Sequence, residues 1–343
     1  MSLKKKMFIG ICSALTLLVF VGTGLAQTVT WKVAYGGAPN DPNDGLIKAF
    51  IQKIDEASGG RFKIKTVYSA PLGYGNNQML QFLKHGLADA GVVIPNYIYK
   101  DEPTIGVMLP HGVMLDQEDN EKLFPVMREA LDKIYAKWNL ELRAPVLVPL
   151  MVEWVLYTKD PVNTLDQLKG VKIRHSDKIA MRALNKLGVP AQFVDANEVY
   201  MALKTGVIDG GAMSRLFALK ASYYEVTKYS SQLYPYSAAV MPGIANTKKA
   251  WAKLPDDLKA VWEKTAKGFL WDAMHSQWTA RTYEINAAKS LKEKGMTELE
   301  GFSREDRIKI QKATLEEWLA ECKKIGPDAV AHYNKVVPLL TKE

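Results

Sequence analysis

The sequence predicts an α/β protein of two lobes, each a sheet flanked by helices. Three observations carry that reading. From Thr28 to Ile94 the periodicity runs β-α-β-α-β, the pattern of a parallel doubly wound sheet with right-handed crossovers. The chain has 343 residues, more than one hydrophobic core usually serves. Strand-like patterns return after Leu150 and again after Tyr234, so the chain is expected to cross between lobes twice, and two crossings make a hinge.

The elements follow from local chemistry. Thr28 to Tyr35 alternates apolar and polar residues, as a half-buried strand does. Gly36 to Gly45 holds Gly, Pro, Asn and Asp and reads as a loop. Leu46, Phe50, Ile51 and Ile54 recur at helical spacing until Ser58-Gly59-Gly60. Arg61 to Val67 is a second strand, Asn76 to Leu87 a helix, and Ala88 to Ile94 a third strand. A helix is predicted over Leu123–Trp138, then strands over Leu140–Val148 and Met151–Tyr157, broken by Pro149. Thr164 is placed to cap a short helix over Leu165–Leu168. Lys178 to Leu187 is helical and stops at Gly188, and Ala191 to Val194 is a short strand. Ser237 to Asn246 reads as one strand, Leu254 to Leu291 as one long helical stretch, and Ser303 to Ile325 as a further helix. The chain reads as free of repeats and low-complexity tracts.

Residues 1–26 read as a cleavable secretory leader: Lys4, Lys5 and Lys6, an apolar run from Met7 to Val21, then small residues at Gly24 and Ala26. Export is therefore expected. Without the leader the formal charge falls from +8 to +5, and no lysine or arginine run remains. That argues against nucleic acid, whose binders cluster their basic residues, and suits an anionic small molecule. Cys322 is then the single cysteine, so no internal disulfide supports the fold.

The most informative stretch runs from Leu168 to Gly210. Leu168-Lys169-Gly170-Val171-Lys172-Ile173-Arg174 reads as a turn and a short strand that ends in arginine. Glu198 to Gly210 reads as an amphipathic helix, a glycine stop at Gly206 and a second short strand. Ligands of open α/β sheets bind beyond the carboxyl ends of the strands. Arg174 would project its fork there, where a guanidinium grips a carboxylate through two parallel hydrogen bonds.

Signatures of catalysis are missing from the sequence. It has no Gly-x-Ser-x-Gly elbow, no His-Glu-x-x-His, no paired cysteines and no phosphate loop. His85, His111, His175, His275 and His332 lack metal-ligand spacing. The expectation is no enzyme, no cofactor and no metal.

The chain resembles the DctP-like extracytoplasmic solute-binding proteins of tripartite ATP-independent periplasmic (TRAP) transporters. The resemblance covers essentially all of the chain after the leader. It rests on Ala57-Ser58-Gly59-Gly60-Arg61-Phe62-Lys63-Ile64, on Tyr68 to Gly73, and on Leu83 to Gly86 with Asp89-Ala90-Gly91. It continues through Leu109-Pro110, Leu165 to Arg174, Leu187-Gly188, and Glu198-Val199-Tyr200 running to Asp209-Gly210. It implies a periplasmic-binding-protein fold with a long helix spanning both lobes, organic acids as ligands, and a membrane permease of large and small subunits as partner. It also implies that Arg174 forms the principal ion pair with the ligand carboxylate. Lobe I is expected over 27–151 plus about 240–275, and lobe II over 152–239 plus about 276–333.

The chain departs from the family pattern around that arginine. Gly211-Ala212-Met213-Ser214-Arg215 replaces a polar or aromatic contact with Met213. His175-Ser176-Asp177 stands where small residues and Asn or Pro are usual, and Glu153-Trp154 where some members carry a second arginine. A monocarboxylate with an apolar or aromatic body suits Trp154 and Met213 better than a small dicarboxylate. Ser214, Arg215 and His175 are further expected contacts. Tyr35, Gly36, Gly37, Asn96 and Tyr97 would form the rim of the first lobe, and Tyr236 lies near the second crossing. The same binding chemistry would serve a ligand-sensing subunit of a membrane receptor.

Overall fold

The computed structural model describes residues 28–37, 39, 42–116, 118–144, 151–194, 198–238, 243–275 and 280–342. The predicted leader lies outside the described residues, as do the side chains of Asn96, Glu153 and Tyr236. No helix among the described residues is long and apolar enough to cross a membrane.

In chain order the first part holds β1 (Val29–Tyr35), α1 (Pro42–Ala57), β2 (Phe62–Tyr68), α2 (Met79–Lys84), β3 (Ala90–Val93), α3 (Glu118–Lys137) and β4 (Leu140–Ala144). The second holds β5 (Met151–Thr158), α4 (Leu165–Leu168), β6 (Ile173–Arg174), α5 (Lys178–Lys186), β7 (Ala191–Gln192), α6 (Val199–Thr205), β8 (Gly210–Met213), α7 (Arg215–Lys220) and β9 (Tyr229–Ala238). The chain continues through β10 (Gly243–Thr247), α8 (Lys248–Lys253), α9 (Asp256–His275), α10 (Ala280–Glu293), β11 (Thr297–Glu298), α11 (Arg304–Ile325) and α12 (Pro327–Val336).

Two sheets result, in the strand orders β2-β1-β3-β10-β4 and β11-β9-β5-β8-β6-β7. Both are mixed rather than parallel. β1 runs parallel to β2 and β3, but β10 is antiparallel to β3 and β4. β6 runs parallel to β7 and β8, but β5 is antiparallel to β8 and β9. The reversal comes from the connections: β10 enters the first sheet from the second, so it meets β3 head to tail. The single strand expected over Ser237–Asn246 is thus the end of β9 and the body of β10, one in each sheet.

Period-two alternation places each core. Trp31, Val33 and Tyr35 face one way, against Phe50, Phe62 and Trp262, while Ala34 faces the other. Trp262 lies 5.1 Å from Trp31 and 5.2 Å from Phe50, ring centre to ring centre, which fixes α9 on the first sheet. The predicted long helix is described as α9, packed on α1 and β4, and α10, packed on α7 and β5, with 276–279 outside the described residues. α11 reaches both cores, with Ile310 in that of the second sheet and Trp318 and Cys322 in that of the first. α12 packs on α3, because Ala329 and Val336 join the core of Leu131 and Tyr135. Residues 327–336 therefore sit beside the first sheet, whereas the sequence reading had the second lobe run on to about 333.

A repeat also emerges that the sequence reading lacked. Leu83-Lys84-His85-Gly86-Leu87-Ala88-Asp89-Ala90-Gly91 and Leu203-Lys204-Thr205-Gly206-Val207-Ile208-Asp209-Gly210-Gly211 end a helix and start a strand in the same way, one per sheet. Gly86 and Gly206 take the left-handed conformation that stops each helix (φ 69° and 76°). The Asp89 carboxylate accepts the Lys32 N–H at 2.8 Å, and the Asp209 carboxylate accepts the Lys172 N–H at 3.0 Å. Each aspartate N–H donates back to the same lysine's carbonyl, at 3.0 and 2.7 Å. By that equivalence Arg174 stands in the second sheet where Ala34 stands in the first.

Candidate functional site

β6 is two residues long and ends on Arg174, whose backbone pairs with Gln192 on one side and Gly211 on the other. The glycines of β8 let the strands close up. A Cβ at Gly210 would come within 2.8 Å of Thr158 Cγ2 and 3.0 Å of the Tyr157 carbonyl. Arg174 is 3% exposed. Its Nε donates to the Val194 carbonyl at 3.0 Å and its Nη1 to the Ala212 carbonyl at 3.0 Å. These two bonds fix the plane of the fork, and carbonyl dipoles offset part of the cost of dehydrating a cation.

Met213 is buried with its sulfur 3.9 Å from Arg174 Nη1. Tyr223 packs near Gly211, and burial pushes its phenol up to about 12 while Arg174 opposes the shift. His175 is wholly buried and stacks on Trp154, with centroids 5.4 Å apart and planes 23° from parallel. Its Nδ1 accepts the Asp177 N–H at 3.0 Å. Burial first, then His111 and Arg174, hold its imidazole well below the ordinary histidine value. The ring is therefore neutral near neutral pH. Asp177 caps α5 through Ile179 N–H (2.8 Å) and Ala180 N–H (3.0 Å), and also accepts the His111 N–H at 3.0 Å.

Other predicted contacts are placed differently. Ser214 caps α7, its hydroxyl accepting the Phe217 N–H at 3.3 Å. Arg215 donates to Glu298 at 2.6 Å, and its backbone N–H is held by Glu284 at 2.7 Å, so it is engaged with β11 and α10. Tyr35 is core rather than rim, because its place in the alternation of β1 turns it inward, 6.5 Å from Tyr68. Gly36 is demanded by packing, since a Cβ there would drive into the backbone of Asn76. Gly37 is half-buried. Tyr97 closes the turn Pro95–Tyr97 and is 49% exposed. The side chains of Asn96 and Tyr236 lie outside the described residues.

His111 was passed over in the sequence because nothing local marks it. It reaches Trp154 at 4.5 Å and His175 at 5.3 Å only through the fold. Tyr234, 5.8 Å from His175, completes this ring cluster. Among the described residues, no three His, Cys, Asp or Glu side chains converge as a metal site.

Two mixed sheets flanked by helices are the architecture of the periplasmic-binding-protein fold. Residues 33–324 match the bacterial extracellular solute-binding proteins of family 7, DctP, and the chain belongs to that family. Its members are solute receptors, not enzymes. A solute-binding protein of Chromohalobacter salexigens is 25% identical over 60% of this chain, which spans 61% of that relative's length. The C4-dicarboxylate-binding periplasmic protein DctP of Rhodobacter capsulatus is 26% identical over 93% of this chain and 94% of its own. The fold matches that of a Bordetella pertussis extracytoplasmic solute receptor binding pyroglutamic acid, with a TM-score of 0.69 and 20% identity over 90% of this chain and 99% of the other.

Proposed function

We propose that the protein captures an organic carboxylate in the periplasm and delivers it to a TRAP-type secondary transporter of one large and one small membrane subunit. Residues 1–26 would be removed on export. The observation that carries this reading is Arg174, buried at the end of β6 with its fork held by two carbonyls. A cation so placed gains most from an anion that brings two oxygens to it. The names of relatives support the ligand class: one binds C4-dicarboxylates and another pyroglutamic acid. Met213 beside the fork and the Trp154 indole nearby favour a monocarboxylate with an apolar or aromatic body over a small dicarboxylate.

A thermal-shift screen of organic acids tests this reading. Binding to the folded state stabilises it by about 2.7 kcal/mol when ligand is at a hundred times its Kd. Aromatic and branched monocarboxylates should raise the melting temperature more than succinate or malate does. A panel in which sugars or amines shift the protein and carboxylates do not would overturn the reading.

A further inference from the structure

The loop from Val107 to Asp116 is held from behind by the C-terminal helices. Trp318 Nε1 donates to the Val107 carbonyl, His332 Nε2 meets the Met108 carbonyl at 2.8 Å, and Gln311 Nε2 donates to the Val113 carbonyl at 2.7 Å. Arg304 grips Asp116 with two bonds of 3.0 and 3.2 Å. The tip of the loop presents His111 to the second sheet, into the rings of Trp154, His175 and Tyr234. Gly112 takes φ 86°, and a Cβ there would stand 3.0 Å from the Tyr234 ring. Asp177 ties the backbone of this tip to the start of α5, three residues beyond Arg174.

This seating leaves buried polar atoms without a protein partner among the described residues. His111 Nδ1, His175 Nε2 and the Tyr234 hydroxyl have no hydrogen-bond partner among the described residues. His175 accepts at Nδ1, so its neutral ring carries the proton on the unpartnered Nε2. The charged groups facing the pair are Arg174, which opposes protonation of both rings, and Asp177, which favours it at His111 and already accepts three backbone N–H bonds. Tyr234, on β9, brings a neutral phenol, because burial pushes its ionisation far up. α11 brings the aliphatic Ile310.

We propose that His111 and His175 form a pH-gated latch between the lobes: neutral rings let the 107–116 loop seat on the second sheet, and a proton on either ring expels it. The seated state excludes a proton that the open state accepts at the ordinary histidine value, so seating is complete above that value and weakens as pH falls below it. Each histidine contributes up to ~10-fold in the seating equilibrium per pH unit below ~6.5. The consequence for ligand capture rests on the function proposed above, whereas the latch itself does not.

The test is NMR of the five histidine rings in the ligand-free protein, with amide-exchange protection of residues 108–115 followed over the same pH series. The expected result is that the assigned rings of His111 and His175 stay neutral below the ordinary histidine range and titrate together with a fall of at least tenfold in loop protection, whereas His332, which burial also holds low behind the loop, titrates independently of that fall. His111→Phe with His175→Phe keeps the rings and should abolish the pH dependence of that protection. If the double variant does not fold, the wild-type titration decides alone. Ordinary titration of the His111 and His175 rings, or loop protection that ignores their titration, would overturn the latch. Paired titration in a protein that binds no carboxylate would uphold the latch and overturn the ligand reading. Where a carboxylate binds, its affinity should weaken at least tenfold across the pH range in which the two rings titrate, and constant affinity across a loop that does open would overturn the link between latch and capture.

Discussion

Arg174 Nη1 donates to the Ala212 carbonyl at 3.0 Å, so the fork is aimed by the backbone of the neighbouring strand rather than by a flexible side chain. A cation fixed in this way has lost its rotamer freedom before any ligand arrives, which is how preorganisation raises affinity. Truncating one partner of a buried charge pair costs about 2–5 kcal/mol. Arg174→Ala should therefore weaken carboxylate binding by ~30-fold to several thousandfold. Arg174→Lys should recover little of it, because an ammonium cannot reproduce two parallel bonds. Calorimetry with the best ligand from the thermal-shift screen measures both, with unfolding curves to confirm that each variant is folded. Near-normal affinity in Arg174→Ala would remove the clamp from the account.

The position of Arg174 was legible because its signals are local: a glycine turn, a short apolar strand and an arginine at its end. The lobes were legible for a similar reason, since strand and helix periods alternate within short windows. What was not legible was tertiary. Tyr35 looked like a rim residue because it ends a strand, yet strand alternation buries it with Trp31 and Val33. Arg215 looked available to an anion because it follows Met213 and Ser214, and its partner Glu298 lies far along the chain on β11. His111 had no sequence signal at all, since its ring neighbours belong to β5 and to the segment after β6. The repeat around Asp89 and Asp209 was present in the letters. Its common purpose became visible only when both carboxylates were seen gripping the same point of a neighbouring strand.

That equivalence predicts matched energetics. Each carboxylate accepts one backbone N–H at the start of a parallel strand pairing, and each is flanked by the same helix stop. A hydrogen bond to a charged group is worth about 1.5–3 kcal/mol when shielded, and less where water reaches it. Asp89→Ala and Asp209→Ala should each lower stability by ~1 kcal/mol, through separate lobes, and the double variant should lose about the sum. Denaturant unfolding of the three variants measures this. A large effect in one lobe and none in the other would show that the two motifs do different jobs.

Cys322 sits on α11 within the core of the first sheet, and burial pushes its thiol up to about 12. The thiolate is the reactive form, so this sulfur should be inert in the native protein. A thiol reagent applied to the leader-free chain should label nothing under native conditions and one site per chain after unfolding. The labelling rate then reports opening of the α11 core, and it should fall when ligand is added. Rapid labelling of the native protein would show that α11 detaches far more readily than its packing implies.

Glu317 joins α11 to α5. Lys186 Nζ lies 2.6 Å from its carboxylate and Arg182 Nε 3.0 Å, while Arg182 also reaches Glu321 at 3.0 Å. The hydrogen bond from Lys186, and then that from Arg182, hold the Glu317 carboxyl below the ordinary value against burial, which pushes it up. A carboxyl whose folded value is depressed binds fewer protons folded than unfolded. Its stabilisation is therefore complete above the ordinary value of 4.5 and is lost as pH falls through the folded value. Glu317→Gln should destabilise the protein by ~0.5–1 kcal/mol near neutral pH, since both cations are partly exposed and water screens them. The difference from wild type should shrink as pH falls below 4.5, because the wild-type carboxyl is then protonated as well. Urea unfolding of both proteins at about pH 7 and about pH 3 measures the two limits. A difference that stays constant with pH would mean that Glu317 acts by packing against α5 rather than by charge.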